Sequence, residues 1–244
     1  MAPRRALRWL DVGCGNGAFT ELLVKRCAPA MIDGVEPSEG QLDYARKRLD
    51  VGQARFHRGD AMTLPFPDRT FDAAVMALVI FFVPEPARGV AEMVRVVRPG
   101  GVVSAYAWDI LGGGFTQEPI QAEMRAIGLQ PPRPPRADAS RLEALRGLWT
   151  DAGLVDVATR EISVTRIFDD FEEFWTSNLS GNTGPMVAAL PPAEREALKA
   201  RVRVDEIKRD WAVYQEPRRR CVELAAAGQR HSCRFFSPGL GVGC

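Results

Sequence analysis

The stretch Leu10-Asp11-Val12-Gly13-Cys14-Gly15-Asn16-Gly17-Ala18-Phe19 constrains this chain more than any other. An apolar strand runs into three alternate glycines, and helical spacing follows through Phe19, Leu22 and Leu23. Glycine carries no Cβ, so the backbone can turn sharply there and come close to a ligand. The helix start beyond offers unpaired N–H groups and a partial positive charge to an anionic group. A tight turn that binds nothing would satisfy the same letters, so the loop has to be read with its surroundings.

Those surroundings alternate between two periods. Short apolar strands are predicted at 6–12, 31–35, 54–57, 71–79 and 102–108, with helices at 18–26 and 86–97 and another carrying Leu42, Ala45 and Leu49. The 71–79 run is nearly continuous in apolar residues, as in a strand buried on both faces of a parallel sheet. Strand and helix alternating at this pace imply right-handed crossovers and an α/β, doubly wound, mostly parallel Rossmann-like sheet. The longest apolar run, Ala73 to Val83, is eleven residues, and a membrane helix needs about 20. With 32 basic against 31 acidic side chains, a net charge of +1 argues against attraction to phosphate backbones or anionic lipid as the main work. Five scattered cysteines without a CxxC pair fit free thiols, and a cytoplasmic location is expected.

Two acidic residues close the next strands. Glu36 lies nineteen residues after Gly17, where a carboxylate can accept hydrogen bonds from both hydroxyls of a ribose. Asp60 follows Gly59 at the end of the third strand, where it can accept from an exocyclic adenine amine. Each has a plain alternative, a solvated strand end or a turn-forming aspartate. A dinucleotide site is the rival reading, since Gly13, Gly15 and Ala18 also satisfy GxGxxA.

Together, Leu10 to Phe19, Gly34-Val35-Glu36-Pro37-Ser38, Gly59-Asp60-Ala61, Leu64-Pro65-Phe66-Pro67-Asp68, Phe71-Asp72 and Val96 to Gly101 resemble class I S-adenosylmethionine-dependent methyltransferases. Within that class the chain is most similar to the small-molecule group of the ubiquinone and menaquinone methyltransferases, over roughly residues 7–165. The resemblance implies a seven-stranded sheet whose last strand is antiparallel, and S-adenosylmethionine as cofactor. It also implies backbone contacts from Gly13 and Gly15 to the methionine part of the cofactor, with Cys14 and Gly17 in the same loop. Glu36 would hold the ribose, near Pro37 and Gln41. Asp60 and Ala61 would hold the adenine, with Met62 beside them. Asp11 would order the loop near the amino group, and Ala77 would offer its carbonyl there, next to Leu78.

Methyl transfer from a sulfonium asks mainly for alignment and a dry site, and no metal site is expected. Asp109, after Tyr106 and Trp108, is the candidate base for an oxygen nucleophile; capping the loop before Gly112 is its other reading. The apolar text after the fourth strand points to a small apolar or aromatic acceptor methylated at oxygen or carbon. Phe82, Trp108, Phe115 and Trp175 are candidates for its walls, although aromatics at helical spacing are often core. Residues 110–136, with Gly112-Gly113-Gly114 and a proline loop, form the candidate lid. The expected organisation is a methyltransferase core at 1–165, a helical substrate-side extension at 166–215 and a poorly ordered tail at 216–244. Only six residues precede Leu7, and the pattern fades after about Val204, so an incomplete first helix and last strand are expected, with the vacant sheet position empty or filled by Arg230 to Phe236. A cofactor-binding but catalytically impaired protein is therefore the alternative. No nucleic-acid partner is expected, because the Arg218 to Arg220 run is local and no NPPY-like tetrad occurs.

Overall fold

The computed structural model describes residues 6–48, 54–164, 166, 168–179, 183–208 and 219–227. The first half runs β1 (Arg8–Val12), α1 (Ala18–Cys27), β2 (Met31–Glu36), α2 (Glu39–Arg48), β3 (Ala54–Arg58), β4 (Phe71–Ala77), α3 (Pro86–Val96) and β5 (Val97–Trp108). Then come α4 (Glu118–Ala126), α5 (Leu142–Asp151), β6 (Val155–Val164), α6 (Phe171–Asn178), α7 (Thr183–Ala188), α8 (Pro192–Lys208) and β7 (Arg219–Ala227). The sheet order is β3-β2-β1-β4-β5-β7-β6. The first five strands are mutually parallel, and β7 lies antiparallel to both β5 and β6. Chain order reverses between β1 and β4, so the carboxyl ends of these strands open a crevice at the point where ligands of such sheets bind.

Burial follows the sequence pattern. Phe71, Ala74 and Met76 of β4 are fully enclosed, as a central strand with helices on both faces requires. Proline tolerates the first turn of α3, and that helix puts Val90, Met93 and Val96 into the core. Trp149 of α5 is fully buried and donates its indole N–H to the Val103 carbonyl (2.9 Å), tying the helix to β5. A second core joins α4, α6, α7 and α8 through Ile120, Met124, Phe171, Phe174, Val187 and Leu198.

Several boundaries differ from the sequence expectation. β4 stops at Ala77, because Leu78 turns into the left-handed region (φ 60°) and Ile80–Phe82 coil into a single tight turn. Conversely, β5 begins at Val97, before Pro99-Gly100-Gly101, and the glycines form an irregularity inside the pairing of β4 with β5. A Cβ at Gly101 would lie 2.6 Å from the Asp72 carbonyl oxygen, so the close strand approach there requires glycine. The largest departure concerns the tail. Arg219–Ala227 is a strand and occupies the position between β5 and β6, where a vacancy or Arg230 to Phe236 was expected; those seven residues lie outside the described ones. The start of the chain through residue 5, and the rest of the 216–244 tail, also lie outside them. Cys14 is a free buried thiol, whereas Cys27 is disulfide-bonded, so the thiols are not all free as the cysteine pattern suggested.

Candidate active site

The glycine loop leaves β1 and bends over the end of β2. Gly13 and Cys14 both donate their N–H groups to the Val35 carbonyl (2.8 and 3.0 Å), which fixes the curl. Gly13 sits at φ 73°, and a Cβ there would fall 2.5 Å from a Val79 methyl. Gly15, at φ 53°, differs: nothing lies within 4 Å of where its Cβ would be, so its face is open. Its N–H donates to Glu36 Oε2 (3.2 Å), and Glu36 Oε1 accepts from the Ser38 N–H (3.1 Å). Two backbone donors thus hold the Glu36 carboxylate at the rim. Asp60 is held similarly, with Oδ1 accepting from the Met62 N–H (2.7 Å).

These residues surround one cleft of about 740 Å³, within the range of small-molecule and cofactor sites. Gly13, Cys14 and Gly15 form its floor side, Glu36, Pro37 and Gln41 one flank, and Asp60 and Ala61 the next. Ala77 at the end of β4 and Leu78 just beyond it also line the cleft. Three residues picked out from the sequence are not in the wall. Gly17 lets α1 approach α2, its Cβ position lying 3.0 Å from Ala45 Cβ. Met62 packs against the core instead. Asp11 is wholly buried on β1, where Oδ2 accepts from the Thr20 hydroxyl (2.6 Å) and Oδ1 has no partner among the described residues. Burial pushes the Asp11 carboxyl up to about 7, the Thr20 hydrogen bond opposing and the nearby Glu36 charge adding to the shift. Burial likewise pushes the Cys14 thiol well above its ordinary value, with Asp11 and Glu36 adding to the shift, so it stays protonated and unreactive.

A second cavity, of about 420 Å³, adjoins the first, and Leu78 and Phe82 belong to the walls of both. Its other walls include Phe81, Trp108, Ile110 and Phe115, with Gln117, Gln121, Arg125 and Arg133 supplying polar groups. Of the aromatic candidates, Phe82, Trp108 and Phe115 are brought together here and Trp175 is not. Trp175 is 6% exposed, stacks on Phe171 (6.2 Å between ring centroids) and belongs to the second core, because α6 turns its aromatic stripe toward α4 and α8. Asp109 lines neither cavity. Its Oδ1 accepts from the Gly112 N–H (2.9 Å), and a Cβ at Gly112 would strike that carboxylate, so the side chain caps the turn. His57 is a strand residue, with Nε2 2.8 Å from Asp33 Oδ1 and its ring against Phe66.

Sequence reasoning missed Tyr106 in the cleft wall and Arg133 in the second cavity. Tyr106 could have been found from strand alternation, since it points away from the buried Ala105 and Ala107 on β5. No cluster of three or more metal-ligating side chains occurs among the described residues. None of the described helices is long and apolar enough to cross a membrane.

Comparison with known proteins agrees with this geometry. Residues 10–105 match the family model described as a methyltransferase domain. An uncharacterized methyltransferase of Schizosaccharomyces pombe is 31% identical over 187 residues, 70% of this chain and 66% of that protein. The chain belongs to the S-adenosylmethionine-dependent methyltransferases. Rice (Oryza sativa subsp. japonica) 2-methyl-6-phytyl-1,4-hydroquinone methyltransferase 2, chloroplastic, is 43% identical over 98 residues, covering 40% of this chain and 28% of that protein. The demethylmenaquinone methyltransferase of Symbiobacterium thermophilum is 39% identical over 97 residues, 38% of this chain and 39% of that one. The matched segment thus spans 28% to 66% of the length of these curated relatives. Among solved structures, the YcgJ protein of Bacillus subtilis shares the fold at a TM-score of 0.61 and 16% identity, covering 94% of this chain and 95% of that one. S-adenosylmethionine is the cofactor of this family, and the residues present fit it. Gly15 offers an open backbone face, Glu36 a fixed carboxylate, and Asp11 Oδ1 a buried acceptor without a partner among the described residues.

Proposed function

We propose that this methyltransferase moves a methyl group from S-adenosylmethionine to a small apolar or aromatic acceptor, at oxygen or carbon. The observation that carries the reading is the shared wall: Leu78 and Phe82 face both the cleft and the aromatic cavity. Backbone groups of Gly13 and Gly15 would hold the methionine part, with Cys14 and Gly17 shaping the loop. Glu36 would take the ribose hydroxyls beside Pro37 and Gln41. Asp60 would accept from the adenine amine, with Ala61 donating its N–H and Met62 behind them. Ala77 and Asp11 would serve the amino group. Bound there, the cofactor would supply an electrophilic methyl, with S-adenosylhomocysteine as the leaving group and the acceptor's proton released to solvent.

Leu78 acts as a positioning residue in this reading. A non-glycine residue in the left-handed region costs roughly 1–2 kcal/mol, and Leu78 is held there by its N–H donating to the Tyr106 carbonyl (2.8 Å). Strain kept at a partition between two cavities is what a functional constraint predicts. Phe82, Trp108 and Phe115 would clamp the acceptor body and exclude water, so that alignment supplies most of the rate. Residues 110–136 would act as the lid over it. Arg136 already pins this segment, its backbone N–H donating to the Phe81 carbonyl (3.0 Å) and its guanidinium to the Pro84 carbonyl (3.1 Å). Relatives named for hydroquinone and menaquinone substrates support a quinone-type ring as the methylated part of the acceptor. Incubating the protein with methyl-labelled S-adenosylmethionine and a metabolite extract tests the reading. A labelled small molecule one methylene heavier than its precursor is expected, and label left wholly on the cofactor overturns it.

A further inference from the structure

Three features of the second cavity bear on the acceptor's charge. Arg125 is neutralised by Glu118 at 2.5 Å. Gln117, Gln121 and Thr183 close on one another, with the Gln121 amide donating to Thr183 Oγ1 (3.1 Å) and that hydroxyl donating to Gln117 Oε1 (2.9 Å). Arg133 alone among the charged wall residues has no counter-ion among the described residues, and it is exposed to solvent. It stands between Pro132 and Pro134, which also line the cavity. Proline fixes its own φ and confines the residue before it to extended backbone, so Arg133 is mounted on a stiff loop.

We infer, on the basis of the methyltransferase reading above, that the acceptor is an amphipathic monoanion: its apolar body lies against Phe82, Trp108 and Phe115, and its carboxylate pairs with Arg133. Among the described residues the wall carries one uncompensated positive charge, which balances one carboxylate. A phosphate monoester carries roughly −1.5 to −2 at neutral pH and would be left partly unbalanced. An arginine fork also matches a carboxylate in bidentate geometry.

A matched set of naphthalenes tests this: 2-naphthoate, the isosteric 2-naphthamide and 2-naphthyl phosphate, each titrated calorimetrically with and without saturating S-adenosylhomocysteine. The carboxylate should bind about fivefold or more tightly than the amide, the scale of one partly exposed charged hydrogen bond. Arg133→Gln should erase that preference, Arg133→Lys should keep part of it, and Phe115→Ala should weaken acid and amide alike. Equal binding of acid and amide, no binding of the acid, a preference that survives Arg133→Gln, or a larger Arg133 effect on the phosphate would each overturn the inference. S-adenosylhomocysteine binding should be unmoved by Arg133→Gln. If the unsubstituted protein fails to bind S-adenosylhomocysteine, it is the methyltransferase reading that falls, independently of the naphthalene result.

Discussion

The two cavities share a wall but are built by different means. The glycine-loop cleft lies at the ends of five adjacent parallel strands, where backbone geometry leaves Gly15 open and two N–H groups fix Glu36. The second cavity is lined by one connecting segment, residues 110–134, with only Leu78, Phe81, Phe82 and Trp108 arriving from the sheet side. Backbone construction requires particular residue types at particular spacings, whereas side-chain construction requires only that something apolar arrive. On the proposed reading, a change of acceptor needs no change in the half assigned to the cofactor.

Substitutions can break or sharpen this division. The largest effect is expected where an aromatic of the extension is core and not wall. Trp175→Ala should destabilise the fold by about 3–5 kcal/mol, as large buried aromatics do, with S-adenosylhomocysteine affinity retained under folding conditions. Denaturant midpoints check this, and an acceptor-specific loss without destabilisation would return Trp175 to the cavity.

Asp11 comes next. The folded chain keeps its proton up to about pH 7, while the ordinary carboxyl releases it near 3.8, so ionisation opposes folding and stability falls across that window. Asp11→Asn cannot ionise; its stability advantage over the parent should grow between pH 4 and pH 8, toward a few kcal/mol, and show as a widening difference in Tm. The same variant should bind cofactor more weakly at pH 8. A Tm difference that stays flat with pH would contradict the buried, proton-holding state.

Trp108→Ala should raise the acceptor KM about tenfold, the loss of one aromatic contact of roughly 1.4 kcal/mol, and leave cofactor affinity within twofold. An equal loss in both affinities would erase the boundary between the cavities. Smallest is Asp109→Ala, which removes a turn cap and should cost about 1 kcal/mol of stability while leaving the pH profile of kcat unchanged. Loss of an ionisation from that profile would restore Asp109 as the base.

The same division explains what could be read from the sequence. Gly13, Glu36 and Asp60 were legible because a strand end, a glycine turn and a carboxylate have few other joint uses. Trp175 and Phe115 were not separable, since a core position and a cavity wall both ask for an aromatic residue. Asp109 carried two readings, and the nearby Gly112 N–H decides for the cap. The Arg219–Ala227 strand was hidden because arginines and alanines carry little strand propensity; long-range pairing with β5 and β6 supplies what local preference lacks. The β4 terminus was misplaced for a related reason: Leu78 continues the apolar run but leaves the sheet through a backbone turn that composition does not reveal.

Titration of S-adenosylhomocysteine into the parent protein and into the Glu36→Ala/Asp60→Ala double variant bears most directly on the central claim. Two charged hydrogen-bonding groups, at about 1.5–3 kcal/mol each, predict a loss of affinity of at least about a hundredfold in a variant that keeps its circular dichroism spectrum. Equal affinity in the two proteins would mean that the strand-end carboxylates do not hold the cofactor, and the assignment of the cleft would be wrong.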